Sequence, residues 1–228
     1  MNASMISLTV WRQDGAEAAG RWETFAVDAS GEPTVLEAIE RINRAPATTD
    51  GEKTTAIQYD DGAACGALVN GAPVVLSEAR LSSGGESVVV EPLSVFPITQ
   101  DLQVDRARFE TDLAEAFALA PEGMDVEALV SPAMHSGVCM EACAAYRSVP
   151  EYVGPVVVHV LERSNRGPGG DLRRAERLEI LMGERGVAHD RNTFSYADCC
   201  PEGAELVQSM GQAKRSAAFQ WIRDFFQN

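Results

Sequence analysis

Positive charge is scarce in this sequence. Nineteen Lys and Arg stand against 34 Asp and Glu, a formal charge of −15 at pH 7, which repels a phosphate backbone and an anionic lipid surface alike. Nucleic acid is therefore not an expected partner, and the acidity reads as solubility or as a match to a basic protein surface. Long apolar runs are missing too: stretches such as VVVHVL at 156–161 fall well short of the roughly 18 residues of a membrane span. Direct membrane insertion is not expected. The N-terminal MNASMISLTVW has neither the basic n-region nor the extended apolar h-region of a secretory signal. The expected compartment is the cytoplasm, where cysteines are kept as thiols or ligands rather than as disulfides.

Catalytic signatures are equally sparse. The three histidines, His135, His159 and His189, lie far apart and form no HExxH or triad pattern. There is no GxSxG elbow, P-loop or dinucleotide fingerprint, and RGPGG at 166–170 lacks the strand-to-helix context of a phosphate cradle. The carboxylate pairs Asp60-Asp61 and Glu176/Glu179 read as solvated loop and helix faces. Nothing here makes the chain an enzyme by itself.

What is present is a clear order of elements. A length of 228 residues suits two small domains. MISLTVWR (5–12) and RWETFAVD (21–28) read as a hairpin around QDGAEAAG. In PTVLEAIERINR (33–44), Thr34 and Glu37 have capping-box spacing, and Leu36, Ile39 and Ile42 recur at helical intervals. Then come TTAIQY (54–59), a cysteine loop, ALVNGAPVVL (67–76) with an Asn70-Gly71 turn signal, and ESVVVEPL (86–93). That order suits a β-grasp sheet over one helix. Beyond residue 100 the periodicity turns helical, with helices expected at 105–120, 136–147, 171–185 and 203–227. The last of these ends in Phe219, Trp221, Ile222, Phe225 and Phe226, too many directions for one narrow stripe; the excess suggests a partner surface.

These elements, together with the CG…NGAP segment from Cys65, the junction VEPLSVFPITQDLQVDRARF (90–109), YVGP (152–155) and CCPEG (199–203), resemble the iron–sulfur subunit of succinate dehydrogenase and fumarate reductase along nearly the whole chain. The resemblance implies an α+β fold: a β-grasp, 2Fe-2S ferredoxin-like domain at 1–103 and a mostly α-helical ferredoxin-like domain at 104–228. It also implies an FAD-containing flavoprotein partner and electron transfer through two-iron, four-iron and three-iron clusters towards quinone. Clusters need thiolates at fixed spacing, so the ligands can be checked one position at a time.

In the two-iron motif, C-x4-C-G-x-C, Cys65-Gly66 matches the second cysteine, Asp60 stands at the first, a deletion removes the third, and Ser77 lies near the fourth. In C-x2-C-x2-C-x3-C-P, anchored on Pro150, only Cys139 remains, with Ala142, Ala145 and Val149 at the other positions. In C-x5-C-x3-C-P, anchored on Pro201, Asp190 and Tyr196 replace two ligands and Cys200 is kept. The three-iron ligands Val149, Asp190 and Tyr196 are thus all non-thiol. The quinone side is altered as well: VPEYVGP (149–155) is short, and Arg191 replaces a histidine of the family pattern.

Cys139 and Cys200, with the extra thiols Cys143 and Cys199, could still cluster in space. Three readings stay open: buried thiols packing as hydrophobes, a zinc or remodelled 4Fe-4S centre on all four, or a redox-active disulfide. The leading expectation is a non-catalytic, cluster-depleted subunit that carries no cofactor and stabilises a succinate dehydrogenase/fumarate reductase-type flavoprotein. It would dock through Asp60, Asp61, Gly62, Cys65 and Gly66, in the cytoplasm or peripheral to a membrane through other subunits. The alternatives are an electron-transfer subunit with one remodelled centre, and a stand-alone binding or regulatory module.

Overall fold

The computed structural model describes residues 4–60, 65–82, 87–191 and 195–227. The chain divides into two compact units, one running to Asp105 and taking in Ser136–Val138, the other comprising Arg106–His135 and the chain from Cys139.

The first unit is a five-stranded sheet with one helix. Strands β1 (Met5–Arg12), β2 (Arg21–Asp28), β3 (Gly66–Val69), β4 (Ala72–Val75) and β5 (Val88–Glu91) pair in the order β2-β1-β5-β3-β4. β1 and β5 run parallel at the centre, and the remaining pairs are antiparallel. The period-2 pattern of β1 sends Ile6, Leu8 and Val10 into the core, each worth roughly 1.5–3 kcal/mol of burial. Helix α1 (Val35–Arg44) lays Val35, Ala38, Ile39 and Ile42 on that core. Its start is the expected capping box: Glu37 N donates to Thr34 Oγ1 at 3.1 Å, and Thr34 N donates to Glu37 Oε2 at 2.8 Å. Asn70 and Gly71, at φ of 51° and 79°, close the β3–β4 hairpin in the left-handed geometry their residue types favour.

TTAIQY differs from its expected strand. It joins no ladder; side chains satisfy its backbone instead, with Asn43 bonding both the N–H and the C=O of Ile57 and Asp101 accepting from Gln58 N. Ile57 is buried while the segment stays single. A short pair, β6 (Ile98–Gln100) and β7 (Gln103–Val104), follows.

The second unit is helical. Helix α2 (Ala107–Ala118), the short helices α3 (Pro132–His135), α4 (Val138–Glu141) and α5 (Ala144–Ser148), α6 (Pro155–Arg166), α7 (Arg174–Met182) and α8 (Gly203–Gln227) are the α-helices of the described residues from Arg106 on. The helix expected at 136–147 is therefore broken into single turns. Gly137 takes φ of 87°, and Cys143 takes ψ of 105°, outside helical space. Helix α6 arises from VVVHVL, whose β-branched run hides the helical period. Gly154 at φ of 88° and Pro155 at the first position launch it, and burial on nearly every side explains its apolar sequence. No described helix is long and apolar enough to cross a membrane.

Candidate functional site

In the first unit, Cys65 is 1% exposed, and its side chain belongs to the hydrophobic core with Ile6, Phe25 and Ile57. Its carbonyl accepts from Leu76 N at 2.8 Å, which holds β3 against the turn carrying Ser77. Gly66 is needed for a close approach: a Cβ there would lie 2.9 Å from Ser136 O, 3.0 Å from Val138 Cγ1 and 3.1 Å from Leu93 Cδ1. Cys65 and Gly66 thus offer no exposed side chain to a partner. Asp60 is half-buried, and Asp61 and Gly62 lie outside the described residues. A lone core thiol beside carboxylate and hydroxyl positions does not fit a two-iron cluster, which takes four soft donors.

In the second unit the four thiols are only partly brought together. Cys139 is fully buried on α4, and Cys200 is the group that perturbs its thiol most. Cys200, then burial and the nearby Cys199, hold the Cys139 thiol far above its ordinary pKa. Cys199 is half-buried and pushed up to about 12, first by burial and then by Cys200. Its Sγ donates to Tyr196 O at 3.5 Å, while Cys200 Sγ donates to Glu202 Oε2 at 3.4 Å. Cys143 does not share a helix face with Cys139, because the chain leaves the helix between them. Burial raises the Cys143 thiol, and the charges it feels are those of Asp190 and Lys214. Since the thiolate is both ligand and nucleophile, Cys139, Cys143 and Cys199 are thiols held in their neutral form. Among the described residues no three His, Cys, Asp or Glu stand where one metal ion could be held. As arranged, the donors do not fit a four-iron centre.

Two of the three positions that the resemblance assigns to three-iron ligands, Asp190 and Tyr196, take part in a polar chain. Tyr196 Oη, fully buried, donates to Asp190 Oδ2 at 3.1 Å. Lys214 Nζ, from α8, donates to Asp190 Oδ1 at 3.1 Å and to Asp190 O at 2.7 Å. The phenol is pushed well above its usual range, first by burial and then by the Asp190 carboxylate. A groove of about 420 Å³ opens beside the pair, with Leu181, Met182, Val187 and Trp221 among its walls. Sequence reasoning did not single out Lys214, which lies 24 residues from Asp190 in no motif. The histidines do not converge on a site: His159 Nδ1 is 2.9 Å from Ser209 Oγ, and His189 Nε2 bonds Glu184 O.

This geometry defines a ferredoxin-like chain, and comparison with known proteins agrees. Residues 7–111 match the family described as 2Fe-2S iron-sulfur cluster binding domain. Along 97% of its length the chain is 29% identical to the succinate dehydrogenase iron-sulfur subunit of Bacillus subtilis, covering 96% of that protein. It is 25% identical to the fumarate reductase iron-sulfur subunit of Haemophilus influenzae, over 69% of this chain and 72% of that one. In fold it matches a chain of the Mycobacterium smegmatis Sdh1 complex in the apo form, with a TM-score of 0.72 at 21% identity, over 96% of this chain and 98% of the other. The chain is thus similar along nearly its whole length to the iron–sulfur subunits of succinate dehydrogenase and fumarate reductase.

Proposed function

We propose that the protein is a cluster-depleted, non-catalytic counterpart of these iron–sulfur subunits, which stabilises an FAD-containing flavoprotein without wiring it to quinone. One observation carries the reading: the fold persists while the donor positions do not. Cys65 is absorbed into a hydrophobic core, and Asp190 and Tyr196 bond to each other where thiolates would be expected from the resemblance. Loss of one cluster would interrupt an electron path, and here none of the three ligand sets is complete. The docking surface falls to Asp60 and the adjoining Asp61-Gly62 segment, since Cys65 and Gly66 face inward. The large exposed aromatics of α8, Phe219, Trp221, Phe225 and Phe226, suit a chain that works within a complex.

A second reading is favoured by the paired Cys139 and Cys200 with Cys199 beside them: an electron-transfer subunit with one remodelled iron–sulfur or zinc centre. Anaerobic purification of the native protein separates the two. The proposal expects substoichiometric iron, zinc and acid-labile sulfide, no paramagnetic signal on reduction, and co-purification of a flavin-containing protein that Asp61→Lys weakens. Iron and sulfide near four per chain would establish the second reading. A stable monomer that captures no flavoprotein would point to a free-standing module.

A further inference from the structure

In the second unit, the described residues 187–191 and 195–200 carry little regular structure: two single 3-10 turns, Val187–His189 and Ser195–Ala197, and the Cys199-Cys200 pair. A segment of this kind needs cross-links to stay fixed, because ordering each backbone residue costs roughly 1–2 kcal/mol of entropy. In a cluster-bearing relative, ligation would supply them. Here the same positions hold oxygen and nitrogen chemistry. Asp190 is buried, and its carboxylate uses one oxygen for the Tyr196 hydroxyl and the other for the Lys214 ammonium, while its carbonyl takes a second bond from Lys214. One residue is thereby tied to the turn six positions later and to the long helix α8.

We propose that the Lys214–Asp190–Tyr196 chain is a metal-free replacement for a cluster, a built structural centre that pins residues 187–191 and 195–200 to α8. The chemistry is internally matched. A buried carboxylate requires a counter-charge, which Lys214 provides at 3.1 Å, with a quarter of its side chain still in contact with solvent. A buried phenol requires an acceptor, which Asp190 provides. Lys214 reaches this position because Met210 and Ala213 on the same helix are buried and fix its rotation. A thiolate cluster would have to displace all three groups, so the arrangement excludes the metal it stands in for. The inference goes beyond the partner-subunit reading and does not depend on it: the centre would pin the segment even if a metal were found at Cys139 and Cys200.

The test is a double-mutant cycle on the full chain, Asp190→Asn and Lys214→Met singly and together, followed by equilibrium unfolding and amide hydrogen exchange. Each single variant is expected to raise the unfolding constant of the helical unit by roughly tenfold to a few hundredfold, in the manner of a broken buried pair. The double variant should fall well short of the product of the two. Exchange should accelerate at 187–191, 195–200 and α8 around Lys214, with the β-grasp unit unchanged. Tyr196→Phe, a gentler change that keeps the ring, should raise the constant by about fivefold to tenfold. Lys214→Arg should restore most of the stability lost in Lys214→Met. If Asp190→Asn does not fold, Tyr196→Phe and Lys214→Arg still decide the matter. Additive effects in the cycle, or an unchanged exchange pattern in Tyr196→Phe, would overturn the proposal.

Discussion

A guanidinium with no exposed surface is rare, and the first unit surrounds that of Arg12 with acceptors. Its Nη1 donates to Glu23 Oε2 at 2.6 Å, and its Nη2 donates to Thr55 O at 3.1 Å and Thr55 Oγ1 at 2.9 Å. Nε lies 3.1 Å from Asp101 Oδ1 without the alignment of a hydrogen bond, so that contact is coulombic. Asp101 spends its own oxygens on Gln13 N and Gln58 N, which ties the loop at 101 to β1 and to the single segment 54–60. Arg12→Leu should destabilise the first unit by about 3 kcal/mol, as expected when one partner of a buried pair is removed. Arg12→Lys should recover only part of this, because an ammonium lacks the planar fork; urea unfolding measures both. Gly66→Ala is a second residue-scale test. Its methyl would press on Ser136 O, a backbone atom that cannot swing away, so a loss of about 1–3 kcal/mol is expected. An unchanged urea midpoint would show that the 136–138 segment can move aside.

At the scale of elements, α6 sets the electrostatics of the helical unit. His159 sits on it with 2% of its surface exposed, bonded to Ser209 of α8. Burial, with the nearby Arg163, holds its pKa below the ordinary value of 6.5. The unfolded chain therefore takes up the proton first as pH falls. The contribution of neutral His159 is complete above about pH 6.5 and is lost as pH drops from there through the folded value. Glu162, three residues on, is raised by burial; its contribution is complete below its unfolded value and is lost as pH rises, so it opposes His159 over part of the range. His159→Gln should separate them: stability measured from pH 7 to pH 5 should fall less steeply in the variant, by up to about 1.4 kcal/mol per pH unit. Equal slopes would mean that His159 does not titrate differently on folding. The other end of α8 behaves differently. Trp221 stacks on Phe225 with ring centroids 5.9 Å apart, yet Phe225 is 67% and Phe226 81% exposed, so these rings add little to the packing of their own unit.

For the whole molecule, each unit has a core built from side chains alone. In the first, Cys65 is one apolar member among many; in the second, α6 is enclosed on nearly every side. On the cluster-depleted reading proposed above, metal removal leaves the fold intact. Prolonged treatment with a strong chelator under reducing conditions should leave the far-ultraviolet circular dichroism and the midpoint of thermal unfolding unchanged within about 1 °C. A shift of many degrees would mean that bound metal contributes directly to folding.

Much of this architecture was legible in the amino-acid order, because local rules act over few residues. The β1–β2 hairpin, the Thr34/Glu37 capping box, the Asn70-Gly71 turn and the span of α8 follow from alternation, capping and backbone preference. The missing thiols were legible too, since cysteine counts and motif spacing need no coordinates. Other features were decided only by tertiary contacts. TTAIQY has strand character but is held by Asn43 and Asp101 instead of a ladder, and VVVHVL became a helix because it is buried all round. Cys143 parted from Cys139 when the helix broke. The bond from Lys214 to Asp190 spans 24 positions and two elements, and no local pattern encodes such a distance. Sequence alone determined that most positions the resemblance assigns to cluster ligands hold no cysteine; only the packing of α8 decided what Asp190 meets there, because a buried carboxylate must find its counter-charge wherever the fold brings one within reach.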